Sequence, residues 1–105
     1  MSIGRAITTI REKAGLKQGE LAKLADISPT SLSLLESNKT QGTEATLKKI
    51  ADALGTDVGL IKLLAIDPEK DMSKENKEKF YTLFPNFHTR LLYDIQKFSS
   101  KNGDQ

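Results

Sequence analysis

Apolar residues recur along this chain at intervals of three and four, in short bursts set off by helix-stopping and helix-starting residues. They nowhere alternate over the length of a strand. That spacing restricts the chain to short amphipathic helices packed on one another. Ile3, Ile7, Ile10 and Ala14 fall on one face of a first helix. Gly15 can take the left-handed conformation that stops it, letting Leu16 fold back on the last turn. A second helix fits residues 18–25, with Leu21, Ala22 and Ala25 inward, and breaks at Asp26, Ile27 and Ser28. The third has the clearest start: Ser28 can accept from the orphan amides of the first turn, and Pro29 sits where no amide hydrogen is needed. It runs to about Ser37, where Asn38 can adopt a positive φ. Thr40, Gln41 and Gly42 read as loop. Thr43 caps a fourth helix that carries Leu47, Ile50, Ala51 and Leu54 inward and stops at Gly55. Asp57 or Thr56 caps a fifth, with Val58, Ile61 and Leu64.

Asp67 and Pro68 close this unit, dividing the chain into a five-helix domain at residues 1–67 and an extension at 68–105. Residues 67–79 are mostly charged, the composition of a solvated linker or an exposed helix start. Phe80, Leu83 and Phe84 then recur at helical spacing before Pro85, and Phe87, Leu91, Ile95 and Phe98 follow it. Two amphipathic helices joined at Pro85 and Asn86 cannot hide both stripes alone. They either pair with a second copy or dock on the fifth helix, and the sequence leaves both open. The expected class is all-α: five helices followed by a two-helix extension.

Composition narrows the chemistry. The chain has 105 residues, 37% hydrophobic and 29% charged, and no cysteine, which excludes disulfides, thiolate catalysis and cysteine-based zinc sites. His88 is the only histidine and has neither a metal-binding partner nor a nucleophile beside it, so it reads as a surface residue. No phosphate-cradling glycine loop appears, and the expectation is a non-enzyme with no metal and no cofactor. The longest apolar stretch, residues 60–66, is interrupted by Lys62, too short for a membrane span. The first residues lead into an amphipathic pattern rather than a secretory leader, so a cytoplasmic protein is expected. Net charge is +2, and residues 1–67 hold nine Lys/Arg against eight Asp/Glu. Any nucleic-acid binding must therefore come from where charges sit. Tyr81, Phe84, Phe87 and Tyr93, at helical spacing among Leu and Ile, read as packing residues rather than base-stacking ones; Lys48 and Lys49 read as an exposed helix face.

Residues 18–37 have the form of two short helices joined by a tight turn, the arrangement in which one helix crosses the DNA backbone and the next enters the major groove. Ala22 is small enough for close crossing, Leu32 and Leu35 anchor the second helix, and Thr30, Ser33, Leu34 and Ser37 face outward at 100° per residue. The residues Arg11 to Gln18, Glu20-Leu21-Ala22, Ile27-Ser28, Leu32 to Glu36 and Leu47 to Gly55 stand in an order and spacing that resembles the Cro/repressor-type helix-turn-helix family, also called Xre-like or phage-repressor-like, over about residues 3–66.

The resemblance implies a five-helix domain that binds double-stranded operator DNA, usually as a homodimer, and regulates transcription. By the same resemblance Gln18 contacts a phosphate and braces the recognition helix. Arg11 and Glu36 form a structural salt bridge. Ser28, Thr30, Ser31, Ser33 and Leu34 lie near the groove, and Lys17, Asn38 and Lys39 approach the phosphates. This chain departs from the family at four places. Lys17 replaces a capping Ser or Thr, at a cost of about 1 kcal/mol, and Asp26 replaces a turn glycine. Pro29 and Leu34 replace base-reading polar residues. The function expected is a repressor that binds a pseudo-palindromic operator as a dimer through the helix at 29–37, with the extension supplying the pairing surface. The alternative is a protein-interaction module of the antirepressor or antitoxin kind, with a protein partner and no operator contact.

Overall fold

The structure is a computed structural model that describes the backbone of residues 1–103 and the side chains of residues 1–97. Among the described residues every regular element is helical: α1 (Ile3–Lys13), α2 (Gln18–Ala25), α3 (Pro29–Glu36), α4 (Glu44–Leu54), α5 (Val58–Leu64), α6 (Pro68–Asp71), α7 (Lys74–Leu83) and α8 (Phe87–Gly103).

Local chemistry sets the ends of these elements. Ser2, Ser28, Thr43 and Ser73 each accept a hydrogen bond from the backbone N–H three residues on, at 3.0–3.2 Å. Asp57 and Asp67 do the same two residues on, at 2.8 and 3.1 Å. Four helices end alike. Gly15, Asp26, Asn38 and Gly55 have φ of 75°, 56°, 62° and 70°. The following residue in each case donates its N–H back across the last turn: Leu16 to Arg11 O, Ile27 to Ala22 O, Lys39 to Leu34 O and Thr56 to Ala51 O, at 2.9–3.1 Å. The stops expected from the sequence are thus the stops observed, including the two set by non-glycine residues. One inward assignment is corrected: Ala14 caps the end of α1 and is exposed, and Ala6 takes the buried place instead.

The core is assembled from one face of each helix. Ile7 and Ile10 of α1 meet Leu21 and Ala22 of α2, Leu32 and Leu35 of α3, Leu47, Ile50 and Leu54 of α4, and Ile61 and Leu64 of α5. Helix α2 lies between α3 and α4, and α1 lies against α3 and α5. Helices α1 and α3 approach closely at Gly4. A Cβ there would collide with the carbonyl oxygens of Leu35 and Glu36, and the Gly4 N–H donates to Asn38 Oδ1 at 3.2 Å.

The extension is more structured than a charged linker and two helices. Residues 67–79 hold the single turn α6, with Pro68 fully buried, and the start of α7. Helix α8 docks against α1 and α5. Ile95 joins the core at 2% exposure with Leu91 and Leu92 half-buried beside it, and Gln96 Nε2 donates to Lys13 O at 3.2 Å. Ile95, read from sequence as a candidate pairing residue, therefore serves its own domain. His88 is corrected too. It is half-buried, its ring is edge-on to Phe87, and its Nε2 lies 2.6 Å from Ile66 O, which as an acceptor requires the proton on Nε2. Phe80, Phe84 and Phe87 cluster across the α7–α8 turn with ring centroids 5.1–6.1 Å apart. No residue of α7 is buried, and Leu83 and Phe84 are 72% and 51% exposed. Phe98 lies outside the described side chains.

Candidate nucleic-acid interface

The unit α2–turn–α3 is built from the sequence in a few steps. Helix α2 ends at Ala25, Asp26 turns the chain in the left-handed region, half-buried Ile27 crosses the corner, and Ser28 starts α3. Aspartate is among the few non-glycine residues that tolerate such a φ. Leu32 and Leu35, at 0% and 3% exposure, pin α3 to the core, and Ala22, also buried, lets α2 lie close. The opposite side of α3 is bare. Thr30, Ser31, Ser33, Leu34 and Ser37 are all exposed, and among the described residues no part of the extension covers them.

A polar lock fixes the inner end of this rod. Glu36, with only 6% of its side chain exposed, accepts from Arg11 Nε at 2.8 Å and Nη2 at 3.0 Å, and from Gln18 Nε2 at 3.1 Å. The third nitrogen of Arg11, Nη1, donates to Leu16 O at 2.8 Å. One carboxylate thus ties α1, α2 and α3 together, and the guanidinium also fastens the turn that ends α1. Hydrogen bonding to Glu36 raises the Arg11 pKa above its already high ordinary value, outweighing the effect of burial. The structure brings Arg11, Gln18 and Glu36, three residues singled out by the resemblance, into one hydrogen-bonded group.

The flanks carry the cations. Lys17 starts α2 without a side-chain acceptor, but Glu20 Oε1 accepts the Lys17 backbone N–H at 2.8 Å, which supplies half of a capping box. The Lys17 side chain stands exposed, as does Lys39 beyond α3. Neither enters an ion pair among the described residues, whereas Lys48 is paired with Asp52 and Lys62 with Glu44. Asn38 spends its side-chain oxygen on Gly4. Several hydroxyls are also engaged locally. Ser28 Oγ accepts from Ser31 N at 3.0 Å and contacts Ser31 Oγ at 2.8 Å, and Ser37 Oγ donates to Leu34 O at 3.2 Å.

Sequence pattern alone did not mark Gly4, the capping bond of Glu20 or the burial of Pro68. Glu20 had a signal, standing three residues after the first capping position. Gly4, inside a helix where glycine is unfavourable, was a weaker one. The rest arises from tertiary contact.

A helix pair crossed at a tight turn, a bare outer rod and flanking cations define a helix-turn-helix DNA-binding protein, and the chain belongs to that family, whose pattern matches residues 7–61. At the level of particular proteins, the chain is similar to the immunity repressor protein of Bacillus phage phi105. The two are 31% identical over 102 residues, 97% of this chain and 67% of the repressor. No solved structure matches significantly. Among the described residues no helix is long and apolar enough to cross a membrane.

Proposed function

We propose that this protein is a cytoplasmic transcriptional repressor that binds a pseudo-palindromic operator as a homodimer, with one α3 from each copy in successive major grooves about 34 Å apart. The observation that carries the reading is the uncovered outer face of α3, held by the Arg11–Glu36–Gln18 lock and flanked by exposed Lys17 and Lys39. Similarity to an immunity repressor over nearly the whole chain favours repression as the outcome of binding.

In this reading Thr30, Ser33 and Leu34 meet base edges. Lys17, Gln18 and Lys39 meet phosphates, with Ser28, Ser31, Ser37 and Asn38 at the margins of the groove. The second copy pairs through the outer side of the α7–α8 turn, where Leu83 and Phe84 are exposed beside Phe80 and Phe87.

Two lysines per copy give about four neutralised phosphates per dimer, and hence a salt slope near −4 and on the order of a hundredfold loss of affinity between 50 and 200 mM salt. The test is an unbiased selection of bound duplexes, followed by anisotropy titrations across that salt range and a sedimentation measurement of the free protein. Binding of a two-fold symmetric duplex by two copies is the result expected. A protein that binds no duplex even at low salt is not a repressor of this kind, and capture of a partner protein unaffected by changes at Thr30, Ser33 and Leu34 would mark an interaction module instead.

A further inference from the structure

Resting on the reading that α3 enters the major groove, a second conclusion concerns what it recognises there. The sequence of α3 is Pro-Thr-Ser-Leu-Ser-Leu-Leu-Glu, without Arg, Lys, Asn or Gln. Its single charge, Glu36, is turned inward and saturated by Arg11 and Gln18. Bidentate recognition of guanine needs Arg or Lys, and of adenine Asn or Gln. Neither is available on this helix.

Part of the hydroxyl capacity is used locally as well: Ser28 Oγ accepts from Ser31 N and donates to Ser31 Oγ, and Ser37 Oγ donates to Leu34 O. What remains outward is a strip of Thr30 and Leu34, one helical turn apart, with Ser33 beside them. Leu34 is 36% exposed although its neighbours Leu32 and Leu35 are buried, so the apolar group is presented to solvent without serving the core. The major-groove feature complementary to such a strip is the C5-methyl group of thymine.

We propose that the operator is read through methyl groups, with Leu34 and the Thr30 methyl packing on thymine C5-methyls in each half-site. Specificity then follows the pattern of thymines rather than purine hydrogen-bonding edges.

The experiment uses the full chain and the duplex recovered by selection. Each thymine is replaced in turn by deoxyuridine, which removes the methyl and leaves the pairing edge intact. Affinity is measured for the native protein, Leu34→Ala and Thr30→Ser, with melting curves to verify that each variant stays folded. Loss of one buried methyl corresponds to about a three- to fivefold weakening. That loss is expected at one or two thymines per half-site, and it should vanish in the variant that lacks the matching side chain. If the duplex binds with the expected salt dependence and uridine changes nothing, methyl readout is overturned while groove binding stands. Methyl readout is equally overturned if the uridine penalty is undiminished in both variants. If no duplex binds, both conclusions fall.

Discussion

Glu36 concentrates more of the site's organisation than any other side chain. It accepts from Arg11 twice and from Gln18 once, with its own carboxylate almost out of solvent. Removing one partner of such a pair leaves the other charge buried and unmatched, a loss measured at about 3–5 kcal/mol in deep interiors. Arg11 keeps 13% of its side chain in solvent, so Glu36→Ala is expected to cost roughly 2–3 kcal/mol by urea denaturation. Arg11→Lys should recover little of the native stability, because an ammonium cannot serve two carboxylate oxygens and Leu16 O in one plane. Stability should not respond to pH through Arg11 near neutrality. Its folded pKa is raised, so its contribution is complete below the ordinary guanidinium value and is lost only at still higher pH. A titration of stability that fell between pH 7 and 10 in the native protein but not in an Arg11 variant would contradict this.

Gly4 poses the opposite problem, since helix propensity favours alanine there by about 1 kcal/mol. Overpacking against the rigid carbonyls of Leu35 and Glu36 costs about 1–3 kcal/mol, and any shift also weakens the bond to Asn38. The clash wins, and Gly4→Ala is expected to lower the denaturation midpoint; a midpoint at or above the native one would refute the close approach.

At the scale of elements, the start of α2 separates stability from binding. Lys17→Ser supplies the missing cap and should add about 0.5–1 kcal/mol. It also removes a flanking cation, so the salt slope of DNA binding should flatten by about 0.9 per copy. Calorimetry and anisotropy on the same variant are expected to move in opposite directions, and joint loss would show Lys17 acting only through the fold. The element boundaries were legible in the sequence because they depend on local chemistry: Ser28 and Pro29 at a start, Gly15, Asn38 and Gly55 at a stop. The motif was legible for the same reason, since Leu32 and Leu35 set which side of α3 turns outward. Less could be read in the extension. An amphipathic stripe states that a helix must cover something, but not what. The stripe of Leu91 and Ile95 therefore fitted a second copy as well as α1 and α5. Likewise nothing local to His88 announced a bond to Ile66 O, because that carbonyl lies 22 residues away.

For the whole molecule, the extension divides into a part that completes the domain and a part left in solvent. Ile95 lies well beyond the residues matched by the family pattern, yet it is 2% exposed in the common core. Ile95→Ala is expected to destabilise the whole unit by about 2–4 kcal/mol in a single transition. Separate melting of residues 1–67 at the native temperature would instead show α8 to be an independent appendage. Leu83→Ser and Phe84→Ser act on the exposed side and should leave the melting temperature nearly unchanged; in the proposed homodimer they should also shift sedimentation toward the single copy.

On the proposed reading, the clasp of Ile95, Gln96 and His88 on the body of the domain also bears on the half-site spacing an operator must have. A pairing face on a slack tether would let two reading heads slide apart to suit almost any gap between half-sites. In the homodimer proposed above, the pairing face at the α7–α8 turn is tied through α8 to the frame that carries α3, and such a pair would behave as a fixed gauge. One inserted base pair displaces a half-site by about 3.4 Å and turns it by roughly 35° around the duplex axis. Such a gauge cannot follow it without bending the DNA, so a single-pair insertion at the centre should cost nearly as much as deleting a half-site.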